Sequence, residues 1–272
     1  MITIDWKERL DKDTLDYLEN KLPNKDYDFD IIFNAYPERV NGKIPSEVIT
    51  YVSRTLVSKM GKTHVKYLPF YRHLWFKKGE VGRNGFITMM SRLLPKKPEL
   101  YMPLFEEAME SGTPSDLSPL LERVFLPLLR KKPNEYLPVV YKWDANPNPE
   151  IPKATVNLLI KLMRREADSI DGIVAHYVNQ WLKPLEESQI NHITLMRALY
   201  KIDLDKYMQV WKEHGHLRDP ETVEILCASV IDWDPQIEEF VQTWTLSGNA
   251  RVKKAAMTAQ RTLQKRKKKV KS

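Results

Sequence analysis

Residues 93–105 read LLPKKPELYMPLF, and residues 128–140 read LLRKKPNEYLPVV. Two leucines, a basic cluster, a proline, a tyrosine, an apolar residue and a second proline are written twice at an interval of 35. The tyrosine extends the pattern in both directions. An aromatic residue with a large apolar residue four positions on occurs at Tyr67/Tyr71, Tyr101/Phe105 and Tyr136/Val140, then at Tyr177/Trp181, Tyr207/Trp211 and Phe240/Trp244. The leading aromatics stand 34, 35, 41, 30 and 33 residues apart. A spacing of four places both members of each pair on one face of a helix.

A second stripe follows every motif, with the i, i+3, i+4, i+7 spacing of an amphipathic helix. It reads Phe86/Met89/Met90/Leu93, Leu121/Val124/Phe125/Leu128 and Val156/Leu159/Ile160/Met163. It continues as His192/Leu195/Met196/Leu199, Val223/Leu226/Cys227/Val230 and Val252/Ala255/Ala256/Ala259. Strand-like alternation is absent. Asp219-Pro220 and Asp234-Pro235 read as N-cap followed by proline at the first helical position. Residues 28–37 and 45–60 form a weaker pair of the same kind, with the stripe Ile49/Val52/Leu56. A helix pair recurring at this period is too small to bury its apolar face alone, so neighbours stack and share one core. The expected fold is therefore all-α: an α-solenoid, a superhelical stack of about seven helix pairs. The chain resembles HEAT-like repeat proteins over roughly residues 28–265, with Pro69, Pro103 and Pro138 falling in first helices.

The chain has 272 residues, a net charge of +7 and a single cysteine, Cys227. One cysteine excludes an internal disulfide and any cysteine-rich zinc site. No apolar run reaches membrane-spanning length, and MITIDWKERL lacks the layout of a secretory leader, so a cytoplasmic protein is expected, or a nuclear one in a eukaryote. The charge is uneven. Residues 251–272 hold ten Lys/Arg and no acid, and residues 54–97 hold eleven against Glu80 alone. The expected organisation is one solenoid domain, 1–262, followed by a disordered basic tail, 263–272.

Cations also follow the second helices: Lys96 and Lys97 after Leu93, Arg130, Lys131 and Lys132 after Leu128, Arg164 and Arg165 after Met163. Equivalent positions of stacked repeats form one edge, and a basic edge suits phosphates. Helix C-termini attract cations for their own reasons as well. Arg72, Lys77, Lys78 and Arg83 extend the set, as do Arg251, Lys253 and Lys254. The aromatics among them, Tyr67, Tyr71 and Trp75, share a helical stripe and read as core.

Residues 244–260, WTLSGNARVKKAAMTAQ, resemble a stretch of the HEAT-like DNA alkylation-repair glycosylases, and WDANPNPEIPKA at 143–154 resembles it too. That resemblance implies removal of positively charged alkylated bases by a Trp/Asp/Arg cluster. Trp244 matches the family's tryptophan, and Lys254 stands in for its arginine. Arg251 departs from an expected aromatic. The candidate aspartates, Asp232 and Asp234 around Trp233, lie closer in sequence than the family pattern requires. His214-Gly215-His216 beside Asp219 lacks a third clear metal ligand, and Gly79/Gly82/Gly85 follows no strand. No metal or cofactor is therefore expected. The leading expectation is a non-catalytic scaffold that binds nucleic acid or another polyanion. The alternatives are a protein–protein scaffold, with another protein or basic peptide in its groove, and a DNA glycosylase acting on alkylated bases.

Overall fold

The computed structural model describes residues 2–271, with side chains through Lys269. Its described residues form helices and turns, with no strand beyond one isolated bridge between Val40 and Lys43. The chain divides into two compact units, Met1–Lys132 and Pro133–Ser272, and the repeat pattern of the sequence is continuous across the boundary between them.

The first unit opens with α1 (Ile4–Asp16), a helix the repeat pattern does not contain. A short 3-10 segment, Phe29–Phe33, takes the place of the weak helix expected at 28–37, and α2 (Ser46–Met60) that of its partner. Then come α3 (Leu68–Lys77), α4 (Gly79–Leu93) and α5 (Pro98–Ser111). The next helix runs as α6 (Pro114–Pro119), a wider π-helical turn at Leu120–Phe125, and α7 (Leu126–Lys131). Pro119 and Pro127 bracket the wide turn, and Pro127 has no N–H to continue the regular ladder. Helix α4 packs against α2, α3 and the wide turn. Gly82 makes the α3–α4 approach possible: a Cβ there would stand 2.2 Å from the Leu74 carbonyl oxygen.

The second unit contains α8 (Pro133–Trp143), α9 (Glu150–Met163), α10 (Ile170–Val178), α11 (Gln189–Ile202), α12 (Leu204–His214), α13 (Pro220–Ser229), α14 (Pro235–Thr245) and α15 (Ala250–Lys271). Here the second helices form a continuous row, α9 on α11, α11 on α13 and α13 on α15. The repeat motifs lie in the first helices or at their ends, Tyr67 in the 3-10 turn before α3 and Trp181 in the turn after α10, and the stripes form the core: of their residues only Ala255 is not buried. The Asp-Pro boundaries behave as expected. Asp219 accepts from the Thr222 amide at 2.9 Å, and Asp234 from Gln236 and Ile237 at 2.8 and 3.1 Å. Pro69 sits at the start of α3, whereas Pro103 and Pro138 lie inside α5 and α8.

One stripe position is polar. His192 is 2% exposed, and the Trp181 indole N–H donates to its Nδ1 at 3.1 Å. That bond requires an unprotonated Nδ1, so the proton of the neutral ring sits on Nε2. Burial pushes the imidazole down from 6.5 to about 4. The unfolded chain then binds a proton that the folded chain refuses, and stability falls as pH drops through that window. The contribution reaches about 3 kcal/mol by pH 4. Urea unfolding near neutral pH and near pH 4.5 should show this loss in the parent and a smaller one in His192→Gln. Equal losses in both proteins would show that His192 does not carry it.

Candidate nucleic-acid interface

The structure places the basic residues at the ends of second helices, as their sequence position requires. Lys96 and Lys97 lie in the turn from α4 into α5, Arg130 and Lys131 in the last turn of α7, and Lys132 caps it. Arg164 caps α9, followed by Arg165. All seven are exposed. Part of their placement serves the free carbonyls of these helix ends.

Other candidates already hold acids of the same unit. Lys78 reaches Asp28 and, at 3.3 Å, Asp30. The hydrogen bond to Asp28 raises the Lys78 pKa and lowers that of Asp28. Arg83 pairs with Asp116 and lies 5.5 Å from the centre of the Trp75 ring. Arg72 pairs with Glu107. Arg251 bonds Glu224 through both Nε (3.0 Å) and Nη2 (2.7 Å) and reaches Glu221 at 2.8 Å. These bonds depress the Glu224 carboxyl and raise the guanidinium further. Lys78, Arg83 and Arg251 are thus each paired with acids from distant sequence, which offset part of the charge they bring to this surface. Lys77, Lys253 and Lys254 remain exposed, with no ion pair among the described residues.

The largest difference from the sequence reading lies at the C-terminal end. Residues expected as a disordered tail continue α15 as far as Lys271, and Leu263, at the proposed boundary, is fully buried. Ser272 lies outside the described residues. Val252, Ala256, Ala259 and Leu263 form the inner face of α15, against α13 and α14. Further along, Lys267 donates to Glu238 at 2.6 Å and lies 5.0 Å from the centre of the Trp233 ring. Trp233 donates its own indole N–H to the same Glu238 at 2.8 Å. This clamp fixes the basic end of α15 to the start of α14.

The opposite face of α15 carries Lys254, Arg261, Lys265 and Lys268, all exposed. Their spacings of seven, four and three residues make one straight stripe about 21 Å long. None of the four side chains makes a hydrogen bond or ion pair among the described residues. A stripe of cations without ion pairs among the described residues, on a packed helix, is a rigid counterpart for a row of phosphates.

The residues matched to alkylation-repair enzymes have local structural roles. Trp244 is 2% exposed and donates to the Leu217 carbonyl at 2.8 Å. Asp234 caps α14, Asp232 accepts from the Trp233 amide at 2.9 Å, and Trp233 belongs to the clamp. Cys227 is buried, which pushes its thiol up to about 12. Among the described residues no three His, Cys, Asp or Glu side chains are placed to hold a metal ion. Nor is any described helix long and apolar enough to cross a membrane.

The Trp233–Glu238–Lys267 clamp was not legible in sequence, although DWD beside a proline marked the turn. Comparison with family models, curated proteins and solved structures finds no match to this chain.

Proposed function

We propose that this protein is a non-catalytic, HEAT-like helical scaffold that binds nucleic acid or another polyanion. The observation that carries this reading is the stripe Lys254/Arg261/Lys265/Lys268, whose side chains make no ion pair among the described residues and which stands on a helix held by a buried inner face. Four cations at fixed positions release counterions from phosphates without ordering four separate loops. The basic helix ends at Lys96/Lys97, Arg130–Lys132 and Arg164/Arg165 add to the attraction. Burial of at least one motif residue and of the stripe in each helix pair supports a repeat scaffold, and nucleic acid as partner implies work in the cytoplasm or nucleus.

The test is titration of the full chain with fluorescent duplex DNA, single-stranded RNA and a branched junction. Four phosphate contacts predict a slope of about −3 to −4 in log affinity against log salt, or about a hundredfold loss between 50 and 200 mM. Binding insensitive to salt, or no binding at low salt, overturns the proposal.

A further inference from the structure

The second unit contains a cleft of about 760 Å³ that plays no part in the cationic surface. It lies between the loop after α8 and the loop that joins α10 to α11. Its walls carry Glu150, Glu186 and Glu187 against Lys153 and Lys183, so its field is negative. Three features separate it from an ordinary inter-helix groove.

The first is a buried carboxylate. The Asp144 side chain is 8% exposed, and its Oδ1 accepts the Tyr177 hydroxyl at 2.9 Å. Its Oδ2 lies 3.5 Å from His176 Nε2, beyond a good hydrogen bond, and keeps acceptor capacity towards the cleft. The second is a stacked aromatic pair at the cleft wall: the Tyr141 and His176 rings lie one above the other, 3.7 Å between centroids and 6° between planes, which leaves an outer ring face for a further flat group. The third is Asn191, which lines the cleft, is only 6% exposed and has no side-chain hydrogen-bond partner among the described residues. Its amide faces solvent in the cleft rather than a protein partner, so a ligand can bond to it without breaking an existing protein hydrogen bond.

We propose that this cleft is a binding site for a guanidinium group. The ligand must be flat enough to lie on the Tyr141/His176 stack, positively charged to match the field, and rich in N–H donors. A guanidinium combines all three: a plane with five donors and no acceptor. One edge meets the open oxygen of Asp144, another N–H meets the Asn191 side-chain oxygen, and the face rests on the outer face of the ring pair. An ammonium offers a similar charge but no plane and no paired edge. The same group is available from a free guanidine compound or from an arginine side chain of another protein. The inference is independent of the nucleic-acid reading, because it uses neither α15 nor the basic helix ends.

The experiment titrates the full chain, by calorimetry and amide NMR, with agmatine, N-acetyl-arginine amide, a Gly-Arg-Gly peptide and N-acetyl-lysine amide. The expected result is saturable binding of the arginine probes, with shifts at Tyr141, His176 and Asn191 and at least about fivefold weaker binding of the lysine amide. Asp144→Asn should weaken the arginine probes by about tenfold or more, and Asn191→Ala by about threefold, with unchanged circular dichroism. Asp144 also holds Tyr177, so Glu187→Gln, on an exposed side chain, tests the field separately and should cost about twofold. Tighter binding of the peptide than of agmatine identifies a partner protein's arginine, and equal binding identifies a small guanidine; both support the site. No saturable binding up to about 10 mM, equal affinity for arginine and lysine amides, or indifference to both Asn191→Ala and Glu187→Gln overturns it.

Discussion

Replacing Lys254, Arg261, Lys265 and Lys268 together by glutamine should lower the affinity for duplex DNA by at least about a hundredfold near 0.1 M salt. It should also make the log–log salt slope shallower by about 3–4. Each cation that meets a phosphate releases close to one counterion, so slope and affinity fall together. Folding should persist, because all four side chains are exposed and make no ion pair among the described residues. Glutamine also has nearly the helix propensity of lysine and arginine. Salt-dependent titration of parent and variant, with circular dichroism as the fold control, decides the matter. An affinity within about threefold of the parent would remove α15 from the interface and leave the helix-end cations to account for any binding.

The second large effect concerns Trp244, which the alkylation-repair resemblance would make a base-contacting residue. Its indole is 2% exposed, lies 5.8 Å from the Trp211 ring between centroids and bonds the Leu217 carbonyl at 2.8 Å. Trp244→Ala should therefore destabilise the protein by about 4 kcal/mol, from lost burial and the cavity left behind. Trp244→Phe retains most of the apolar contact but leaves the carbonyl without its donor, and should cost about 2 kcal/mol. Denaturant unfolding of both variants checks the order. A near-neutral Trp244→Ala would show that the side chain is held for something other than packing.

Neither effect is uniform along α15, because the helix has two kinds of cation. Arg251 is bound by Glu221 and Glu224, and Lys267 by Glu238, so these two fasten α15 to α13 and α14. The stripe between and beyond them carries the outward charge. In sequence the two kinds look alike, since Arg251, Lys254 and Lys267 all stand in one acid-free run.

Local spacing was enough to place most of the helices and the core. Burial on a helix follows a local period, so Tyr101/Phe105 or Val223/Leu226/Cys227 can be assigned to the interior from their spacing alone. Their recurrence also located each helix pair, and the Asp-Pro dipeptides located helix starts because capping involves residues two or three positions apart. Which charges stay unpaired, and where a ligand could enter, depended on the folded arrangement. Lys78 is neutralised by Asp28, fifty residues away, and Arg83 by Asp116, thirty-three away. The cleft is assembled from Asp144, His176 and Asn191, which lie on segments before and after α10 as well as within it. Charge pairing and cleft formation depend on contacts between distant segments, and no local period encodes them.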